Sequence, residues 1–303
     1  MGGQDLTSIR IQGQIFSAIA ILASCASLLL VRLDQRLDQQ LELIALAALI
    51  IVLGVPHGAL DIIFVRQLYN VKTAKGWFGF VVFYVLLAAL VVAVWVIAPF
   101  LFLVGFLAIS LVHFSGDLAD DIQVPLRILY GGAIIVLPTL VHAEEVEKIF
   151  SFLVASDAAQ SMVSMLHVLA WPWIAALVLF TSDQFQRNKI VSLEVICVSL
   201  LAVTAPPLVA FTIYFCGMHS VRHIMRTFDY SGKSSIYLLI ISAVGPMAAV
   251  LLLSLGACSL FRDTPLDARL IQIIFIGLAA LTVPHMALVE QVRISGWTKG
   301  AST

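Results

Sequence analysis

Apolar stretches separated by short polar breaks run along almost the whole chain. A helix that crosses a bilayer needs about 20 mostly apolar residues, and stretches near this length recur from end to end. We predict helices near residues 14–32, 42–66, 77–98, 100–116, 124–141, 161–181, 190–204, 206–227, 236–257 and 270–291. The pattern therefore predicts an all-α fold, a polytopic transmembrane helical bundle of about ten spans, with residues 1–303 forming one integral membrane domain.

Proline sets two of the breaks between these helices. Pro99 separates two helices that almost touch, and Pro206 and Pro207 disfavour a continuous helix. Spans joined across these breaks would lower the count to about eight or nine. The longest polar connection, residues 142–160, contains a group of glutamates and is expected to be an amphipathic or surface segment.

Composition agrees with a membrane protein. The chain is 61% hydrophobic and 12% charged, with a mean hydropathy of +1.05, whereas a soluble domain has about 25% charged residues. Its net charge is −1 and it has no basic run, so we expect no nucleic-acid partner.

The four cysteines lack CxxC spacing and imply neither disulfides nor zinc. Residues 22–25 resemble a lipoprotein cleavage site, but the apolar run continues to Val31 and favours a membrane helix.

The basic residues are distributed unequally between the two sides of a ten-span bundle. The side of the N-terminus holds twelve of the 17 Lys and Arg residues: Arg10, Arg66, Lys72, Lys75, Arg127, Arg187, Lys189, Arg222, Arg226, Lys233, Arg293 and Lys299. The other side holds five, namely Arg32, Arg36, Lys148, Arg262 and Arg269. This imbalance favours both termini in the cytoplasm and an even number of spans in a multi-pass protein of the cell (inner) membrane.

Five of the seven histidines lie toward the cytoplasmic half of a predicted helix: His57, His113, His219, His223 and His285. Polar side chains at bilayer depth are costly and usually face the interior of the bundle. A single such histidine is as readily a core residue with one hydrogen bond as a ligand. Four helices that bring imidazoles to a similar depth favour a shared metal site, since imidazole is the commonest neutral metal ligand.

Two local patterns strengthen this interpretation. His219 and His223 are four residues apart, a spacing that places both imidazoles on one face of a helix, although the glutamate of a zinc protease does not follow His219. Asp61 and Asp117 each follow a histidine by four residues. A carboxylate at that spacing is expected to accept the second ring N–H of a metal-bound histidine, unless it merely ends the helix at the water interface.

Neutral imidazoles without a carboxylate or thiolate ligand suit iron, copper or zinc. Oxygen chemistry would select Fe(II), with roughly two of six octahedral positions open. Bis-histidine haem fits poorly, because His219 and His223 point the same way from one helix and cannot bind opposite faces of one haem. A membrane di-iron desaturase would need more histidine motifs than the chain contains.

The strings Val55-Pro56-His57-Gly58-Ala59-Leu60-Asp61, Leu111-Val112-His113-Phe114, Met218-His219-Ser220-Val221-Arg222-His223 and Val283-Pro284-His285 resemble the Brp/Blh family of membrane β-carotene 15,15′-dioxygenases. The resemblance covers roughly residues 45 to 290. It implies that His57, His113, His219 and His223 are the ligands of a catalytic Fe(II). It also implies that β-carotene and O₂ are the substrates, that two molecules of all-trans-retinal are the products, and that a microbial rhodopsin consumes the retinal.

A carotene is almost wholly apolar, so the lipid bilayer is expected to supply it through a lateral opening between helices. The cleavage position along the polyene would be set by the depth of an apolar tunnel. Aromatic residues at such spacings more often serve ordinary helix packing, but the candidate wall residues are Phe64, Phe114, Phe211, Tyr214, Phe215, Trp171 and Trp173. His285 is a fifth polar group near the iron, a replacement for one of the four ligands or, as we favour, a residue outside the ligand set that pairs with Glu290.

Two other classes of function remain open from the residues alone. A transporter would keep His and Asp in the bundle as a proton relay, but would show repeat-related broken helices and bind no stoichiometric iron. A non-catalytic carotenoid- or retinal-binding membrane protein would hold its pigment unchanged in air.

Reporter fusions test the predicted topology. Because the basic residues favour one side, reporters at the N-terminus and at the C-terminus should both report the cytoplasm. A C-terminal reporter on the opposite side would mean that the number of spans is odd or that the charge argument is wrong.

Overall fold

The computed structural model describes residues 3–33, 39–119, 121–232 and 236–292, and these residues contain helices but no strand. The α-helices, numbered in chain order, are α1 Gly3–Arg32, α2 Gln39–Leu49, α3 Pro56–Ala59, α4 Asp61–Tyr69, α5 Ala74–Ile97, α6 Pro99–Ser115, α7 Val124–Val136, α8 Ala143–Ser151, α9 Ser156–Arg187, α10 Lys189–Thr204, α11 Pro207–Ile213, α12 Val221–Tyr230, α13 Ile236–Leu260 and α14 Leu266–Val292. Two π-helical segments, Ile50–Gly54 and Tyr214–Ser220, and one 3-10 turn, Leu137–Leu140, join some of them.

Six helices in the described part of the chain are long and apolar enough to cross a membrane: Thr7–Arg32, Gln40–Tyr69, Ala74–Ile97, Ser156–Arg187, Tyr237–Leu260 and Leu266–Val292. The pair Val124–Leu140 and Ala143–Ser151, bent by 105°, raises the count to seven if it forms one broken span. Helices α6 and α10 have 17 and 16 residues, slightly below the length of about 20 residues that a span requires. The fold class is therefore confirmed, whereas about ten spans and the orientation of the termini are not.

Several predicted boundaries do agree with the structure. Helix α5 ends at Ile97 and α6 begins at Pro99, and the Pro206-Pro207 pair separates α10 from α11. The polar segment 142–160 contains α8, which buries Val146 and Phe150 and exposes Glu144 and Glu145. The segment is thus amphipathic, as its pattern predicts.

The helices differ sharply in how much of their surface is buried. The candidate spans in α5 and α13 have 0% and 6% of their residues buried inside the protein, and large apolar side chains such as Phe78 and Leu253 are exposed. A protein surrounded by water rarely exposes apolar patches of this extent. Helix α7, the segment 207–230 and one face of α10 lie in the interior, where Tyr130, Leu201 and Tyr214 are fully buried.

The two π-helical segments lie against each other and lead into the histidine motifs. Gly54 ends the first segment, and the ring of Phe215 in the second approaches it so closely that an added Cβ would lie 2.4 Å from Phe215 Cε1. A π-turn also changes the backbone hydrogen-bond pattern, a feature frequent at functional sites. The glycine and the wide turns therefore bring two ligand-bearing segments together.

Gly131 holds α7 against α6, the helix that carries His113. An added Cβ at Gly131 would lie 2.4 Å from Ser115 N and 2.6 Å from Leu111 O, both of which are backbone atoms of a packed helix. The close contact can be relieved only by moving a helix. Gly105 of α6 differs, because a Cβ added there would meet no atom within 4 Å.

We expect Gly131→Ala to lower the free energy of unfolding by about 1–3 kcal/mol, because it forces two backbones apart. Gly105→Ala should leave stability unchanged or raise it by up to about 1 kcal/mol, through the lower backbone entropy of alanine. Thermal unfolding of both variants in one detergent measures the difference. Equal melting temperatures would contradict the close packing of α6 and α7.

Candidate metal centre

Five histidines from separate parts of the chain meet in one buried cluster: His57 of α3, His113 of α6, His219 of the second π-helical segment, His223 of α12 and His285 of α14. The His57 ring centroid lies 4.9–6.3 Å from those of the other four. His113 and His219 are 4.4 Å apart, and His223 and His285 are 4.9 Å apart. The structure thus brings together the four imidazoles predicted as ligands and adds His285 to them.

Three ring nitrogens of this cluster lie close enough together to hold a metal ion. One nitrogen each of His57, His113 and His285 lies within 4.8 Å of the others. The Nε2 atoms of His113, His219, His223 and His285 are buried and have no hydrogen-bond partner. Leaving such a group unpaired costs about 1–3 kcal/mol, so four together in one place require an explanation. A cation bound by neutral imidazoles supplies it.

The backbone around Pro56 holds the His57 ring. In a regular helix the Gly58 N–H would bond to the Gly54 carbonyl, but here it bonds to the Val55 carbonyl at 3.1 Å. The freed Gly54 carbonyl accepts from His57 Nδ1 at 2.5 Å and from the Ser220 hydroxyl at 3.0 Å. A carbonyl can only accept, so Nδ1 carries the proton and Nε2 keeps its lone pair for a metal.

Asp117 holds His219 instead of His113. Its carboxylate oxygens lie 2.9 and 3.1 Å from His219 Nδ1, and Tyr214 donates its hydroxyl to Oδ2 at 2.7 Å. The predicted pairing of Asp117 with His113 assumed that α6 continues past the histidine. The helix ends at Ser115, so the carboxylate turns away toward the neighbouring segment.

Asp61 likewise holds a different histidine from the one predicted. Oδ1 accepts from His285 Nδ1 at 2.7 Å, while Oδ2 accepts from the Tyr84 hydroxyl at 3.1 Å. The helical register breaks at Leu60, between α3 and α4, which turns Asp61 away from His57. The predicted pairing of His285 with Glu290 is wrong, since the bond of the ring goes to Asp61.

A buried ion pair supports the cluster from behind, and the sequence analysis missed it. The Arg222 guanidinium donates to both carboxylate oxygens of Glu194 at 3.1 Å, to Gln12 Oε1 at 2.8 and 3.0 Å and to the Asp117 carbonyl at 3.0 Å. Arg226 donates to the Asp117 carbonyl at 2.8 Å. The available signal was Glu194 within a predicted apolar helix.

This ion pair also changes the count of basic residues on which the topology prediction depends. Arg222 was assigned to the cytoplasmic side, but it is 2% exposed. Without it, the imbalance falls from 12 to 5 to 11 to 5. The excess remains on the side of the N-terminus if the ten predicted spans are kept, and the orientation of the termini stays a prediction.

An apolar cavity of about 440 Å³ reaches the cluster at His57 and His285. It lies between α5, α13 and α14, and its wall includes residues that are exposed on the outer surface of the bundle, such as Val81 of α5 and Leu253 of α13. The cavity is thus open laterally, where lipid would surround the protein. Its aromatic wall residues are Trp77, Phe80, Tyr84 and Phe215.

Only Phe215 among the predicted tunnel residues lines this cavity. Phe64 contacts His223, Phe114 contacts His219, and Tyr214 binds Asp117. Phe211 stacks on Phe215 and, with Phe114, lines a separate space of about 70 Å³. Trp173 donates to the Leu129 carbonyl, and Trp171 is 64% exposed.

The sequence analysis missed the wall residues Trp77, Phe80 and Tyr84 of helix α5. This helix is apolar all round, so its sequence does not mark the face that lines the cavity.

Comparison with known proteins agrees with this site. The family model described as beta-carotene 15,15′-dioxygenase matches residues 48–293, a range that contains all five clustered histidines. A beta-carotene 15,15′-dioxygenase from an uncultured marine bacterium, 66A03, is 32% identical over 253 residues, which cover 80% of this chain and 91% of the relative.

A second relative, described as a probable beta-carotene 15,15′-dioxygenase Blh from Halobacterium salinarum, is 25% identical over 292 residues, which cover 83% of this chain and 84% of the relative. No solved structure gives a significant match. The family match spans well over half of the chain, and the family suggests a metal cofactor, for which the buried imidazoles provide the donors. The chain therefore belongs to the β-carotene 15,15′-dioxygenase family, and it is a dioxygenase.

Proposed function

We propose that this protein cleaves β-carotene at its central 15,15′ double bond with O₂, giving two molecules of all-trans-retinal in an iron-dependent reaction. The observation that carries the proposal is the cluster of buried imidazoles at the inner end of a laterally open apolar cavity. We assign His57, His113, His219 and His223 as ligands of Fe(II), and both relatives are named for this reaction. Bound ferrous iron would supply the activation of O₂.

The residues of the chain provide binding, orientation and exclusion of water. The cavity wall is almost wholly apolar, which suits a hydrocarbon polyene that partitions into lipid. Its flat aromatic side chains, Trp77, Phe80 and Phe215, provide surfaces against which a conjugated chain packs. His57 and His285 form the polar end of the cavity, so the bond that is cut lies where the polyene reaches these rings.

No acid–base dyad is required of the protein in this scheme. The carboxylates nearest the imidazoles are already engaged, Asp117 with His219 and Tyr214, and Asp61 with His285 and Tyr84. Their role is to fix ring orientation and the site of the proton on each ring. The retinal would leave through the bilayer of the inner membrane, and a microbial rhodopsin is its expected consumer.

Pigment chromatography tests the reaction. Detergent-solubilised protein loaded anaerobically with Fe(II) and β-carotene should form two retinals per carotene only after air is admitted. Chelation should abolish the activity and Fe(II) should restore it, at about one iron per chain. Pigment that remains unchanged in air would favour a carrier, and the absence of bound iron together with substrate transport would favour a transporter.

Ligand replacement tests the assigned residues. His219→Ala and His223→Ala should each lose iron and retinal formation together, because a metal bond is removed. Asp117→Asn should keep the bond and lower affinity or activity by roughly 10–100-fold, since the His219 ring loses a charged acceptor.

The exposed Asp121 provides a matched control, since Asp121→Asn changes the same chemical group four residues away. It should behave as the unmodified protein does. Full iron content and normal output in both histidine variants would show that the assigned pair does not bind the metal.

A further inference from the structure

The geometry points to His285 as an additional ligand of the metal, oriented by Asp61 and Tyr84. This inference rests on the proposed function, because it adds a residue to the same metal centre. It replaces the sequence-based interpretation, in which His285 lies outside the ligand set and pairs with Glu290. With His285 as a ligand, five imidazoles instead of four would bind the metal.

The position of His285 is the first argument. Its ring nitrogen belongs to the group of three, with those of His57 and His113, that lie within 4.8 Å of one another. Ligand atoms about 2.0–2.1 Å from one ion are at most about 4.2 Å apart, so this spacing requires only a small contraction. The His285 ring is 4.9–5.3 Å from those of His57, His113 and His223, as close as the assigned ligands are to one another.

The hydrogen bonding of His285 is the second argument. Its Nδ1 donates to Asp61 at 2.7 Å, as His219 Nδ1 donates to Asp117 at 2.9 Å. In both rings this leaves Nε2 with a free lone pair, buried and without a hydrogen-bond partner. A histidine that only supported a ligand would use its second nitrogen to bond to that ligand or its neighbours, and His285 does not.

The arrangement around Asp61 is the third argument. Asp61 Oδ2 accepts from Tyr84, which also donates to the Leu281 carbonyl at 3.3 Å. Tyr84 belongs to α5 and His285 to α14, so the carboxylate is fixed between two of the helices that form the cavity. A carboxylate held on both oxygens orients an imidazole firmly and increases its basicity as a ligand.

Sequence context agrees with this assignment. Val-Pro-His occurs twice, at residues 55–57 and 283–285. In each case the proline before the histidine removes one backbone N–H from the helix. His57 and His285 lie side by side at the inner end of the same cavity, so the two motifs converge on one point.

Metal binding measured without turnover tests the inference. Co(II) is titrated anaerobically into metal-free, detergent-solubilised protein, its ligand-field absorption is recorded, and Fe(II) affinity follows by competition. We expect His285→Gly to lower affinity more than 100-fold, beyond the roughly 10–100-fold loss expected for Asp61→Asn. Added imidazole should restore affinity and absorption in His285→Gly, since residue 285 lines an open cavity.

His167→Gly is the control. His167 is a partly buried imidazole outside the cluster that bonds through Nδ1 to the Thr139 carbonyl at 2.7 Å. Its replacement should leave affinity and absorption unchanged, with no effect of added imidazole.

X-ray absorption of the Co(II)-loaded unmodified protein provides a measurement that does not depend on the folding of any variant. Five imidazoles per metal are expected, and four would overturn the inference. Unchanged affinity and spectrum in His285→Gly would also overturn it, while leaving the four-histidine centre intact. Failure of the unmodified protein to bind metal would instead overturn the proposed function.

Discussion

The constraint on which the structure depends is the burial of five imidazoles in an interior that contains little else to satisfy them. Each ring needs one nitrogen bonded to the protein so that the other can face the common centre. For three rings the partner is identified, the Gly54 carbonyl for His57, Asp117 for His219 and Asp61 for His285. All three bond through Nδ1. The shared pattern directs the Nε2 atoms inward, so the outer hydrogen bonds determine the geometry of the proposed metal site.

These outer partners are themselves produced by interruptions of regular helix. The Gly58 N–H bonds to Val55 and so leaves the Gly54 carbonyl free, the end of α6 at Ser115 releases Asp117, and the break at Leu60 turns Asp61 away. An uninterrupted helix would pair its own carbonyls and keep each aspartate above its preceding histidine. The groups that orient the proposed ligands therefore lie where the regular helical pattern fails.

This distinction explains how far the sequence predicts the site. Imidazoles at similar depth on separate helices identify the cluster, because histidine in an apolar segment is rare and its depth can be read from the segment boundaries. The pairing of carboxylates with rings could not be read in the same way. A four-residue spacing predicts a shared face only if the helix continues, and neither His57 nor His113 is followed by four residues of unbroken helix.

The same limit applies to the fold. The all-helical membrane class follows from composition, and the breaks at Pro99 and Pro206-Pro207 follow from proline chemistry. The number of spans does not follow in the same way, because α10 is apolar but short, with Glu194 on its buried face and Leu193 and Ile196 exposed. Apolar sequence is required both by helices that face lipid and by helices enclosed in protein, so hydropathy alone does not separate the two.

The centre lies at a boundary between two unlike halves of the bundle. On one side, Arg222, Glu194 and Gln12 bind one another and the Asp117 carbonyl, tying α1, α10 and α12 to the residue that holds His219. On the other side, the cavity between α5 and α13 is apolar and open to the surface. A buried ion pair fixes geometry at the cost of desolvation, whereas an apolar wall imposes little directional constraint on a hydrocarbon. In the proposed function, this division would hold the metal ligands in place on one side and leave the other side free to admit a long apolar substrate from the bilayer.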